Sequence, residues 1–195
     1  MLITQPNNPL ADVTLEQLPE RLRAAAGLAA WTTLTPVQAR SIPYLLAGRD
    51  IMIQARTGSG KTGAFVLPML KRLDPAQRHV QAVVLVPTRE LARQVWQHAN
   101  TLFGGSGIES VAVYGGVSYG PQIDALRKGA HVVVGTPGRV LDHLMKGTLM
   151  LDQIRLLIFD EADRMLSMGF YPDMKAIQRY LPHRSINACM FSATF

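Results

Sequence analysis

The alternation of short apolar runs with amphipathic stretches predicts an α/β fold, a doubly wound, mainly parallel sheet with helices on both faces. Three observations carry this. Several runs are apolar at successive positions, as in Val83-Val84-Leu85-Val86 and Leu156-Leu157-Ile158-Phe159, the pattern of strands buried on both faces. Stretches of helical periodicity separate the runs. The chemically distinctive segments begin just where the predicted strands end, and open α/β sheets bind their ligands beyond those ends.

In chain order the candidate strands are residues 51–54, 82–86, 111–114, 131–135, 156–159 and 188–191. The first leads through a glycine-rich turn into a helical pattern that runs to Leu73. After the second, Leu91, Val95, Ala99 and Leu102 recur at helical spacing. Phe170, Met174, Ile177 and Leu181 do the same between the fifth and sixth. No repeat, low-complexity tract or interdomain linker breaks the series, and 195 residues suffice for one sizeable core but are short for two.

Composition narrows the class. Hydrophobic residues make up 48% and charged residues 17% of the chain, as in folded rather than disordered proteins. The formal net charge of +6 suits a polyanionic partner without identifying one. The single cysteine, Cys189, excludes an internal disulfide and lies in an apolar run, where a free thiol behaves as a small core residue. No apolar run approaches the roughly 20 residues that span a bilayer. Residues 1–11 lack the basic and apolar regions of a signal peptide. The expectation is a cytoplasmic protein with no membrane partner.

After the first strand comes Ala55-Arg56-Thr57-Gly58-Ser59-Gly60-Lys61-Thr62. Glycines at 58 and 60 let the backbone curl so that its N–H groups face phosphate oxygens, and the helix that follows turns its positive end toward the same anion. Lys61 would reach the β- and γ-phosphates and the Thr62 hydroxyl would ligate Mg2+. The bland alternative is a glycine-rich turn with a solvated lysine. The fifth strand runs directly into Asp160-Glu161-Ala162-Asp163. Asp160 would hold Mg2+, partly through water, opposite Thr62, while Glu161 orients and deprotonates the attacking water. A solvated acidic helix start is the plain alternative; the upstream phosphate loop favours the catalytic reading.

Asp160-Glu161-Ala162-Asp163, continued by Arg164-Met165-Leu166, resembles the tetrapeptide that names the DEAD-box ATP-dependent RNA helicases. The residues from Ala55 to Thr62 match that family's phosphate loop, including alanine at its first position. In the family's order follow Pro87-Thr88-Arg89-Glu90-Leu91-Ala92, Gly115-Gly116, Thr136-Pro137-Gly138-Arg139 and Ser192-Ala193-Thr194. The resemblance covers nearly the whole chain. It implies the first of two RecA-like P-loop domains of an RNA-stimulated ATPase that remodels short RNA duplexes.

Several roles follow from the resemblance. Lys61, Asp160 and Glu161 are the catalytic residues. Thr57, Gly58, Ser59, Gly60, Lys61 and Thr62 bind ATP, with Thr62 and Asp160 on Mg2+. Pro87, Thr88, Arg89, Gly115, Gly116, Thr136, Pro137, Gly138 and Arg139 contact RNA. These chemistries address phosphate and sugar, so the implied binding is sequence-independent and salt-sensitive. Asp163 is expected to meet Ser192, Ala193 and Thr194, linking the ATP and RNA sites.

Thr35-Pro36-Val37-Gln38 resembles the core of the family's adenine-reading motif. A glutamine amide offers one donor and one acceptor to adenine N6 and N7. The match departs at Ala30 where the family has glycine, at Leu34 where it has proline, and at Val13 where it has an aromatic ring. Trp31 supplies an aromatic face. On this reading residues 1–40 form an N-terminal segment with the adenine motif and residues 41–195 the ATP-binding domain.

The chain ends one residue after Thr194. The resemblance implies a second RecA-like domain beyond it, supplying an arginine to the γ-phosphate, so this chain by itself is expected to hydrolyse ATP poorly. Two other readings stay open on sequence grounds, a DNA-acting helicase of the same superfamily and a non-catalytic RNA- or protein-binding module.

Overall fold

The computed structural model describes residues 8–194. Part of the N-terminal stretch read above for a leader therefore lies outside the described residues. Eight helices, α1 (Glu20–Leu28), α2 (Pro36–Leu46), α3 (Lys61–Arg72), α4 (Arg89–Leu102), α5 (Gly120–Arg127), α6 (Pro137–Met145), α7 (Ala162–Ser167) and α8 (Tyr171–Gln178), surround one sheet among the described residues. Its strands are β1 (Ile51–Gln54), β2 (Ala82–Leu85), β3 (Ser110–Val113), β4 (Val132–Gly135), β5 (Leu156–Asp160) and β6 (Asn187–Ser192). Every pairing is parallel, in the order β1-β6-β5-β2-β4-β3.

Parallel strands force the chain to return through helices, and the side-chain parity of each strand sends alternate residues to opposite helical layers. Ala82 and Val84 of β2 join Phe65, Leu67 and Leu70 of α3 and Val95 and Leu102 of α4 in one core. Val83 and Leu85 join Val140 and Leu144 of α6, Met165 of α7 and Ile177 of α8 in the other. All five residues from Ala82 to Val86 are fully buried, which explains why this run shows no alternation. Helices α1 and α2 share the first core with α3. The boundary drawn at residue 40 falls inside α2, so the N-terminal segment is continuous with the fold.

The strand bounds shift by one residue where a neighbour decides them. The third begins at Ser110, which pairs with Val132, and ends before Tyr114. The fifth extends to Asp160, which pairs with Phe191. Of the four residues at helical spacing near the end of the chain, Met174 and Ile177 lie in α8, whereas Phe170 caps it and Leu181 follows it.

Helix α1 ends in a Schellman turn: Trp31 N–H donates to Ala26 C=O (3.0 Å) and Ala30 N–H to Gly27 C=O (3.0 Å). Ala30 occupies the left-handed position of that turn with φ +55°. A residue with a Cβ is unfavourable there, which gives a physical reason for the glycine that the family resemblance would place at this position. Cys189 is buried beside α3 in the first core, and burial pushes its thiol up to about 12, so it remains protonated and inert. Among the described residues no helix is long and apolar enough to cross a membrane.

Candidate functional site

Because all six strands run the same way, the segments singled out in the sequence emerge along one edge of the sheet. Strand order then sorts them. β1, β6 and β5 lie side by side and lead into the glycine loop, Ser192-Ala193-Thr194 and Asp160-Glu161 respectively; β2, β4 and β3 lead into Thr88-Arg89, Thr136-Arg139 and Gly115-Gly116. Neighbouring strands are about 4.8 Å apart, so the outermost segments are separated by roughly 24 Å.

On the first side, the loop after β1 is tied to β6 by Ala55 N–H donating to Ser192 C=O (2.9 Å). Gly60 sits at φ +93°, and a Cβ there would lie 2.7 Å from Thr35 Oγ1 and 2.9 Å from Gln38 Nε2, so glycine is required by both backbone and space. Lys61 is buried at the start of α3 and its Nζ donates to Ala55 C=O (3.0 Å), folded back over the loop. The hydroxyls of Ser59 and Thr35 are buried with no hydrogen-bond partner among the described residues. Orphaned buried donors around a curled loop at a helix start are what an incoming phosphate would satisfy.

Asp160 is 2% exposed. Burial pushes its carboxyl up to about 6; the Lys61 ammonium pulls it down, the Glu161 carboxylate pushes it up, and the Glu161 amide, donating to Oδ1 (3.0 Å), pulls it down. The influence of Lys61 on Asp160 means that the ends of β1 and β5 share one electrostatic site. A buried carboxylate so incompletely neutralised fits a divalent cation. Among the described residues no group of three or more His, Cys, Asp and Glu side chains gathers to hold a metal, so Mg2+ would need water and phosphate oxygens beside Asp160 and Thr62. The residues present fit a magnesium-bound triphosphate on those terms.

Glu161 adopts a left-handed conformation (φ +54°, ψ 50°) at the start of α7. A non-glycine residue held there carries about 1–2 kcal/mol of strain, a pattern that concentrates at functional sites. Its Oε2 accepts from Arg164 Nη1 at 3.2 Å, a partner that sequence reading passed over although the i, i+3 spacing was visible. Asp163 lies two residues on. Its Oδ2 accepts from both the amide (3.0 Å) and the hydroxyl (2.7 Å) of Thr194, and its own amide donates to Ser192 Oγ (3.3 Å). Burial works to raise its carboxyl, but the hydrogen bonds from Thr194 and Ser192 and from the Arg164 and Thr194 amides outweigh it and hold the group at about 2. Thr57, Glu161, Asp163, Arg164, Ala193 and Thr194 border one open cleft of about 390 Å3.

Gln38 is 4% exposed; its Nε2 donates to Gly60 C=O (3.1 Å) and its Oε1 accepts from Thr35 N–H (2.9 Å). One N–H and one lone pair of the amide have no partner in these two bonds. The Trp31 ring stands against Gly63 of α3 and meets His98 edge-on, with centroids 6.0 Å apart. It shapes the first turn of the helix behind the phosphate loop. Val13 packs at the margin of the first core and its amide donates to Ala39 C=O (3.1 Å).

On the second side, Thr88 caps α4 by accepting from Leu91 N–H (3.1 Å), and the Arg89 guanidinium lies directly against Gly116. Arg139 donates from Nη2 to Val117 C=O (3.1 Å). Two guanidinium groups, from the first turns of α4 and α6, thus flank one glycine loop. Pro87, Thr136 and Pro137 are buried and serve as framework, while Thr88, Gly115, Gly138 and Arg139 are half-buried and Arg89 and Gly116 are exposed.

A family model described as DEAD/DEAH box helicase matches residues 35–195. The ATP-dependent RNA helicase DeaD of Haemophilus influenzae is 48% identical over 179 residues, which cover 91% of this chain and 29% of that protein. DeaD of Escherichia coli K12 is 52% identical over 162 residues, 82% of this chain and 25% of that protein. The chain therefore spans under a third of the length of these relatives. The crystal structure of a DEAD box protein from the hyperthermophile Methanococcus jannaschii superimposes with a TM-score of 0.89 at 38% identity, covering 95% of this chain and 51% of that one.

Proposed function

The chain belongs to the DEAD/DEAH box helicase family, and on that premise we propose that it is the first RecA-like domain of an ATP-dependent RNA helicase. The observation that carries the reading is the convergence of Lys61 and the Asp160-Glu161 pair at the ends of β1 and β5, the two parallel strands that flank β6, with Glu161 held in a left-handed conformation. The names of the relatives, ATP-dependent RNA helicases, support the choice of RNA over DNA.

In this reading the loop amides from Thr57 to Gly60 cradle the ATP phosphates, and the Ser59 hydroxyl, orphaned in the free chain, gains an acceptor. Lys61 exchanges the Ala55 carbonyl for a phosphate oxygen. Thr62 and Asp160 would hold Mg2+, which would supply positive charge to the phosphates. Glu161 trades Arg164 for the attacking water, orients it and takes its proton. Gln38 reads adenine while bonded to Gly60 of the phosphate loop, which ties base recognition to loop shape.

Arg89, Arg139, Thr88, Gly138 and the Gly115-Gly116 turn grip the RNA backbone. Asp163, bonded to Ser192 and Thr194, connects the acidic helix start to strand β6 and relays the state of the γ-phosphate toward the partner domain. That second RecA-like domain supplies the remaining RNA grip and the charge that stabilises the transition state.

The test is Glu161→Gln in a protein that joins this chain to a second RecA-like domain. RNA-stimulated ATP hydrolysis should fall by on the order of 100-fold or more while ATP affinity is retained, because a positioned base contributes about 100- to 10,000-fold. An unchanged rate would remove Glu161 as the base, no RNA-stimulated hydrolysis even in the parent protein would reduce this domain to a binding module, and stimulation by DNA but not RNA would assign it to the DNA-acting branch.

A further inference from the structure

Beside the second mouth of the sheet lies an aromatic residue that none of the sequence motifs includes. Tyr119, just before α5, carries the Arg139 guanidinium over its ring, with Cζ 3.9 Å from the centroid. The Lys146 ammonium stands 3.6 Å from the same centroid. The phenol hydroxyl donates to Asp142 Oδ2 at 2.8 Å, and the ring is tilted against His143 with centroids 5.2 Å apart. His143 is fully buried and is hydrogen-bonded to Gln122 Oε1 (3.2 Å) and Thr148 Oγ1 (2.8 Å), so Tyr119 rests on a fixed polar network.

We infer that Tyr119 is a positioning residue for Arg139, holding its guanidinium beside the glycine loop in readiness for an RNA phosphate. The inference rests on the reading of Arg139 as a phosphate contact. Two restraints set the guanidinium plane, the aromatic face below it and the Val117 carbonyl that accepts from Nη2. A backbone phosphate oxygen is an acceptor that suits a guanidinium group. Among the described residues Arg89, across the same loop, leans on Gly116 and makes no cation–π contact. An arginine ordered before binding loses little rotamer freedom on contact with phosphate, which is how a side chain that never touches RNA would raise affinity.

The experiment measures binding of a fluorescein-labelled oligouridylate to the chain over a salt series, for wild type, Tyr119→Met, Tyr119→Phe, Arg139→Gln and the Tyr119→Met/Arg139→Gln double variant. Methionine keeps comparable bulk but has no π face. Tyr119→Met should weaken binding roughly three- to tenfold with a salt slope close to wild type, because Arg139 still reaches its phosphate once bound, whereas Arg139→Gln should flatten the slope by about 0.7, the loss of one phosphate contact on a single strand. In the Arg139→Gln background Tyr119→Met should do nothing further. Tyr119→Phe should stay within about twofold of wild type, because the face that holds the guanidinium remains; this variant also carries the test if the methionine variant folds poorly. Affinity for magnesium nucleotide should be unchanged throughout. A wild-type affinity in Tyr119→Met, a full additive effect on top of Arg139→Gln, or a Tyr119→Phe as weak as Tyr119→Met would overturn the inference. If Arg139→Gln itself binds RNA as wild type does, it is the underlying reading of this face that fails.

Discussion

Replacing Asp160 by asparagine should stabilise the metal-free domain at alkaline pH and hardly at all in acid. Burial raises the folded-state carboxyl from 3.8 to about 6. A carboxyl raised on folding binds its proton more tightly in the folded state. Its ionisation therefore lowers stability as pH climbs from the unfolded value to the folded one, and the whole penalty is in place above about 6. The interval is about two pH units, equivalent to roughly 3 kcal/mol at 1.36 kcal/mol per unit. Asparagine keeps the acceptor for the Glu161 amide and carries no charge, so it stands in for the protonated acid at every pH. The assay is urea unfolding of wild type and Asp160→Asn in EDTA at pH 4 and pH 8. The stability difference between the proteins should change in favour of the variant by roughly 2–3 kcal/mol between those conditions. A difference that does not vary with pH, or one that grows toward acid, would refute the claim that Asp160 is a buried, under-compensated carboxylate awaiting a cation.

Two further outcomes follow from the same geometry. Ala30→Gly should raise stability by about 1 kcal/mol, since relief of about 1–2 kcal/mol of left-handed strain exceeds the roughly 0.4–1 kcal/mol of added unfolded-chain entropy; calorimetry should show a Tm higher by about 2–4 °C, a shift expected for a domain of this size. Asp163→Ala removes the one oxygen that accepts both Thr194 bonds and should speed exchange of the Thr194 amide by on the order of tenfold or more, as loss of a hydrogen bond to a charged group implies. Because that carboxyl is depressed to about 2, the protection it gives is present above its unfolded value and is lost only as pH falls through about 2; exchange followed by NMR at pH 4 and pH 2 would expose the difference.

The sheet was legible in the sequence because strands buried on both faces must be apolar at consecutive positions, and Ala82 to Val86 leave no other reading. Helices α1 and α5 were not, for the opposite reason: Ala24, Ala25 and Ala26 blur any stripe, and α5 buries only Gln122 fully. The phosphate loop and the acidic pair were legible because their chemistry needs particular residue types at fixed spacing after a strand. Their present partners were not. That Gln38 donates to Gly60, that Trp31 stands on Gly63, and that Tyr119 carries Arg139 are contacts between segments distant in sequence, and spacing is silent about them. Left-handed backbone at Ala30 and Glu161 was equally hidden, since neither alanine nor glutamate signals a positive φ.

The most direct measurement replaces Mg2+ by Mn2+ in a nucleotide complex of the chain and maps paramagnetic broadening of its amide resonances. The account predicts that Gly60, Lys61 and Thr62 and, a hundred residues away in sequence, Asp160 and Glu161 broaden together while the 115–117 loop is less affected. Broadening centred elsewhere, or confined to the glycine loop with the acidic pair untouched, would contradict it.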